Sequence, residues 1–88
     1  LIMPYSIEVK LGLMKIYLIS DLDKALNIGN SILKIDYYNY YGNYYEILAL
    51  KAKKEINTAI NITNKMLSLY PTDVMYLTLL GELYWNKD

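Results

Sequence analysis

The chain has 88 residues, enough for one small domain, and 55% of them are apolar. Nine lysines balance nine acids and arginine is absent, so the formal net charge is zero. A phosphate-tracking surface needs a basic excess and favours the planar arginine fork, which disfavours nucleic acid as a partner.

Cysteine and histidine are missing too. Their absence removes disulfides, thiolate nucleophiles, the usual zinc ligands and the commonest general base. No window is long enough to span a bilayer; the uncharged apolar run Val74 to Gly81 is far too short. Leu1-Ile2-Met3-Pro4 has neither a positive region nor a cleavage pattern, so no leader is expected and a cytoplasmic chain is the working assumption. The chain does not begin with Met, which suggests a fragment or a mature product.

In chain order, the first helix is expected over 6–19. Ser20-Asp21-Leu22-Asp23 then looks like a helix start, because a Ser followed three residues later by an acid can satisfy free first-turn amides. It opens a second helix over 22–35, with Ala25, Ile28, Ile32 and Ile35 as an apolar stripe at helical spacing. Tyr37 to Asn43 is the expected break, with Gly42 and Asn43 as its turn residues. A third helix over 44–54 and a fourth over 57–70 follow, the fourth with the stripe Ala59, Ile62, Met66 and Leu69. One continuous helix from Tyr44 to Tyr70 is the alternative, since no Gly or Pro interrupts that stretch. Pro71 ends the fourth helix, and Thr72 or Asp73 caps a fifth over 73–86.

The second and fourth helices repeat each other. ALNIGNSILKID begins at Ala25 and AINITNKMLSLY at Ala59. At that offset Ala25/Ala59, Asn27/Asn61, Ile28/Ile62, Asn30/Asn64 and Leu33/Leu67 are identical. The other apolar positions keep their character at Leu26/Ile60, Ile32/Met66 and Ile35/Leu69.

This period and pattern resemble the tetratricopeptide repeat, a helix–turn–helix unit of the same length as that offset. Leu77-x2-Leu80-Gly81-x2-Tyr84, preceded by Pro71, matches the family's first helix, and Ala25 and Ala59 match its small position on the second. Departures lie in the earlier first helices. Pairing Leu11-Gly12 with the family's Leu-Gly makes the loop before Ala25 slightly too long. Aligning Tyr45-x2-Leu48-Ala49-x2-Ala52 brings Ala59 in slightly early. Strict repeat spacing puts Asn43 and Glu46 at buried positions. The resemblance implies an all-α domain over 1–88, of antiparallel helical hairpins stacked as a short right-handed solenoid. Its first helices would form an inner face that binds a protein or peptide.

On the last helix, Leu77, Leu80 and Tyr84 are expected to pack inward, with Gly81 allowing close helix approach. A bulky Leu at Gly81 would then wedge the last two helices apart. Leu79, Leu83 and Trp85 are left on the outer side as an apolar face, to be covered by a continuation of the chain past Asp88 or by another subunit. Terminal repeats ordinarily end in a polar capping helix, and none is present in the sequence.

Tyr40, Tyr41, Tyr44 and Tyr45 are the candidate peptide-groove residues, because tyrosine joins broad apolar contact to a polar tip. Inter-repeat packing is the competing reading. Lys51 joins them as a possible contact for an acidic peptide, within a patch with Lys53 and Lys54. The family's carboxylate-clamp spacing of Lys and Asn is absent: Val9, Lys10 and Leu13 stand near Gly12, and Thr78, Leu79 and Glu82 near Gly81. A chaperone-tail role is therefore disfavoured.

Asp21 and Asp23 sit where a helix start attracts acids, without the further ligands of a calcium loop. No Ser has a His to activate it, and no glycine-rich phosphate loop exists. No catalytic residue, cofactor or metal is expected. The leading reading is a protein-interaction scaffold; the alternatives are a structural oligomerisation module and a helical accessory part of a larger enzyme.

Overall fold

The computed structural model describes residues 6–87 and contains five helices: α1 (Ile7–Ser20), α2 (Leu22–Ile35), α3 (Tyr40–Ala52), α4 (Ile56–Leu69) and α5 (Val74–Lys87). The N-terminal stretch read for a leader lies outside the described residues, as does Asp88. Among the described residues there is no strand, and no helix is long and apolar enough to cross a membrane.

Each boundary has a local cause. Ser6 caps α1 by accepting from the Val9 amide at 3.2 Å. Asp21 ends α1 in extended backbone and caps α2, accepting from the Lys24 amide at 3.2 Å. Capping thus falls to Asp21 rather than to the expected Ser20, which still belongs to α1. Asn39 caps α3 by accepting from Gly42 at 2.8 Å, and Asp73 accepts from the Tyr76 amide at 3.0 Å. These side chains replace partners that first-turn amides lack within the helix.

The expected break at Gly42 and Asn43 is corrected: both lie inside α3 and are buried, and the turn is Tyr37-Tyr38. A capable cap at Asn39 starts the helix one turn early. Gly42 suits the close approach of α2, because an added Cβ there would meet Ile32 Cγ2 and Asn39 Oδ1, each at 3.0 Å.

The continuous helix from Tyr44 to Tyr70 does not form. Lys54 adopts a left-handed backbone, φ 67°, and the chain reverses over Lys53-Lys54-Glu55. The Glu55 amide donates to Leu50 O at 2.9 Å and the Lys54 amide to Lys51 O at 3.0 Å. This paired closure satisfies helix-end carbonyls and normally has glycine in the left-handed position. With lysine there, no local turn residue marks the break, and the repeat alone supports the expected division into two helices.

The period of the sequence repeat holds in three dimensions. The spacing from Ala25 to Ala59 also separates the helix starts Leu22 and Ile56, and again Tyr40 and Val74. The intervening turns match: the Asn39 amide donates to Asp36 O at 3.0 Å, and the Asp73 amide to Tyr70 O at 3.1 Å. Buried Ala25, Gly29 and Ile32 on α2 correspond to buried Ala59, Thr63 and Met66 on α4. The inward stripes therefore run through Gly29 and Thr63, while the expected stripe ends Ile35 and Leu69 are exposed. Strict spacing also governs α3, so Asn43 and Glu46 are buried. Only α1 departs: it starts at Ile7, where the same spacing back from Tyr40 falls on Ser6.

Every helix packs on its neighbours in sequence, and α1 also packs on α3. One core cluster joins Ile47 and Leu50 of α3, Ala59, Ile60 and Met66 of α4, and Tyr76, Leu79 and Leu83 of α5. The assembly measures 49 × 28 × 17 Å, an elongated slab.

Candidate interaction surface

Helix α3 divides its tyrosines between two jobs. Tyr40 and Tyr44 are half-buried and turn toward α5, where their rings meet buried Tyr76 edge-on at centroid distances of 5.1 and 6.2 Å. The Tyr40 hydroxyl donates to Asp73 Oδ1 at 3.1 Å, and the Tyr76 hydroxyl donates to Tyr40 O. Burial, then the Asp73 carboxylate, push the Tyr40 phenol up to about 12. Burial likewise raises that of Tyr76. Both hydroxyls therefore keep their protons and act as fixed donors. Tyr40 and Tyr44 thus serve packing between hairpins.

Tyr41 and Tyr45 pack edge-on against Tyr40 and Tyr44, at centroid distances of 5.0 and 5.8 Å. The Tyr41 and Tyr45 rings stack at 6.1 Å with an interplanar angle of 29°. Of the four candidate groove tyrosines, only Tyr41 is exposed; Tyr45 is half-buried, as Tyr40 and Tyr44 are.

Lysines beside them are engaged. Lys51 Nζ lies 2.8 Å from Glu82 Oε1, and Lys53 Nζ lies 2.5 Å from Asp23 Oδ1. These partly exposed pairs contribute little stability, but each lysine already has an anionic partner. Asp21 is occupied as a cap. Among the described residues no group of three or more metal-ligating side chains is gathered.

On α5 the expected faces are largely exchanged, although Leu80 packs against the core as expected. Leu79 is 3% exposed and Leu83 0%, both in the core, whereas Leu77 and Tyr84 are 46% and 49% exposed. Gly81 is exposed, and a Cβ added there would meet nothing within 4 Å, so it carries no close helix contact and the expected wedge has no basis. The cause is legible: α5 is apolar around most of its circumference. Periodicity alone therefore supports both the 77-80-84 and the 76-79-83 stripes. Of Leu79, Leu83 and Trp85, only Trp85 stands out in solvent, 86% exposed.

Two buried polar residues outside the candidate site each leave an atom without a partner. Asn43 is fully buried; its Nδ2 donates to Asn39 O at 2.7 Å and Tyr37 O at 3.0 Å, but its Oδ1 finds no donor. Glu46, one turn on, is 7% exposed and its Oε2 also lacks a partner. Burial raises the Glu46 carboxyl above the usual range, partly opposed by the Lys65 charge. Lys65 itself sits over the Tyr37 ring, 3.8 Å from its centroid, and donates to Tyr37 O at 3.2 Å. Burial lowers its affinity for a proton, against the pull of Glu46.

Comparison with protein-family models, with curated proteins and with solved structures finds no match to this chain.

Proposed function

We propose that the chain is a short tetratricopeptide-like array, stacked as a right-handed solenoid, that serves as a scaffold for a protein or peptide partner. The observation that carries the reading is the recurrence, at the spacing of the sequence repeat, of helix starts, caps, turns and buried positions. Repeated hairpins place their first helices side by side and leave a continuous surface for a ligand. On that surface the Tyr41–Tyr45 stack supplies rigid aromatic area at low entropic cost, the usual composition of a binding hot spot.

The test is a selection of random peptides on the intact chain, counter-screened against a Tyr41→Ala/Tyr45→Ala variant. Selected peptides should lose roughly tenfold or more in affinity for the variant, about 1.4 kcal/mol. The variant's melting temperature should stay near the parent's, because neither ring lies in the core cluster. Peptides that bind both forms equally would remove the stack from the proposed surface.

A structural oligomer is the second reading, favoured by the exposed side chains Ile16 and Ile19 of α1. A concentration-dependent solution mass in light scattering supports it; a constant monomer mass rejects it.

A further inference from the structure

The orphan atoms of α3 call for one proton. The Asn43 side chain has a single permitted orientation. Its Nδ2 faces Asn39 O and Tyr37 O, and carbonyls only accept, so Oδ1 needs a donor from elsewhere. Neither it nor Glu46 Oε2, one turn on, has one. Side chains three apart on a helix are neighbours. A proton carried by the Glu46 carboxyl and donated to Asn43 satisfies both atoms. The surroundings offer little else. Toward α2 the Glu46 carboxyl lies 3.8 Å from a Cβ built on Gly29, and the same point meets the Met14 thioether of α1. Neither of those residues has a side chain that titrates or donates. From α4 comes Lys65, the one charged group among the described residues whose field bears on Glu46. Its ammonium is held elsewhere: over the Tyr37 ring, 5.7 Å from the Tyr38 centroid, and donating to Tyr37 O. Asn43 and Lys65 therefore end on the same turn carbonyl.

We infer that Glu46 is a proton switch acting on the turn between α2 and α3. Protonated, its carboxyl donates to Asn43 Oδ1 and leaves Lys65 on Tyr37. Ionised, it gives its proton to solvent, repels Asn43 Oδ1 and draws Lys65 off Tyr37 O toward itself. The arrangement with Lys65 on Tyr37 and Glu46 unpaired is the protonated one. Burial favours the neutral carboxyl, and the Lys65 charge opposes it more weakly. The change therefore falls above the ordinary carboxylate range. The contact made by the proton stabilises the fold fully below that range and is lost as pH rises through the raised value. No ligand is involved, so the switch stands or falls apart from the Tyr41–Tyr45 surface.

An NMR pH titration of the intact chain reads the three groups separately. The signals are the Glu46 carboxyl carbon, the Asn43 side-chain amide and the Lys65 ε-methylene, which the Tyr37 ring shifts upfield. All three should move with one midpoint above the ordinary carboxylate range, and the upfield shift of Lys65 should fade as pH rises. Tyr37→Leu should abolish that upfield shift at every pH, which assigns it to the ring. In Glu46→Gln the amide keeps a donor for Asn43 and cannot ionise, so Asn43 and Lys65 should hold their acid-side positions throughout. Lys65→Met should raise the Glu46 midpoint, because the opposing charge is gone. Titration of Glu46 within the ordinary carboxylate range overturns the proposal. So does an Asn43 or Lys65 signal that stays fixed while Glu46 titrates, or a Lys65 shift that still follows pH in Glu46→Gln.

Discussion

Replacing Tyr76 with alanine will lower stability by about 3–5 kcal/mol, the usual cost of emptying a large aromatic site in a core. Tyr76 is the largest fully buried side chain among the described residues. It meets Tyr40 and Tyr44 edge-on and donates a hydrogen bond to Tyr40 O. It therefore fastens α5 to α3 across a sequence distance that no local contact spans. A domain of this size has a total stability of only about 5–10 kcal/mol, so the loss removes most of it. The melting transition should move to near or below physiological temperature. Tyr84→Ala on the same helix is the control: Tyr84 is half-exposed, and surface changes stay within about 0.5 kcal/mol. Tyr76→Phe should fall between, losing about 0.5–1.5 kcal/mol with the hydroxyl bond. Circular dichroism melts of the three variants decide the matter. Equal losses for Tyr76→Ala and Tyr84→Ala would mean that the core face of α5 is misassigned.

Glu46→Gln should do the opposite and stabilise the chain at neutral pH. The buried Glu46 Oε2 lacks a donor and so does Asn43 Oδ1 one turn away. An unsatisfied buried polar group costs about 1–3 kcal/mol, more when charged. Glutamine keeps the shape, removes the charge and supplies an amide that can donate toward Asn43. A gain of about 1 kcal/mol corresponds to about 4–8 °C in melting temperature for a domain this small. The pH dependence has a definite sign. Burial raises the folded-state pKa of Glu46 above its unfolded value, with Lys65 opposing. The folded state then binds the proton more tightly, so this group destabilises the fold at neutral pH. That penalty disappears as pH falls from the raised pKa to the ordinary carboxylate range. The parent should gain on Glu46→Gln in stability on acidification, and the two melting curves should converge. A constant difference between them from neutral to acid pH would show that Glu46 is ionised in the same way in both states.

The second helices are the most legible part of the chain. Ala25 to Asp36 and Ala59 to Tyr70 share apolar positions, spaced within each segment at a helical period that strand alternation does not keep, and α2 spans the expected residues. The first helices are harder for three physical reasons. Asn39 caps α3 ahead of a glycine that would ordinarily mark a turn. Lysine at position 54 occupies a left-handed site usually given to glycine. On α3 the buried stripe includes Asn43 and Glu46, so polarity masks the repeat register. On α5 the reverse holds: too many apolar residues allow two stripes, and tertiary packing chooses Tyr76, Leu79 and Leu83. Of the candidate surface, Tyr41 and Trp85 stay exposed and Tyr45 is half-buried. Tyr40, Tyr44, Leu79 and Leu83 are taken up by packing, and Lys51 by Glu82. Sequence period finds a helix, but only contact decides which flank of an apolar helix remains for a partner.

The orientation of α5 underlies the core, and the absence of cysteine from the chain makes it directly measurable. Single substitutions Leu77→Cys, Tyr84→Cys, Leu79→Cys and Leu83→Cys, each checked for retained helical dichroism, would be reacted with a thiol reagent under native conditions. Thiols at 77 and 84 should react at nearly the rate of the denatured chain, and those at 79 and 83 should be strongly protected. Protection at 77 and 84 with fast reaction at 79 and 83 would turn α5 over and contradict the account.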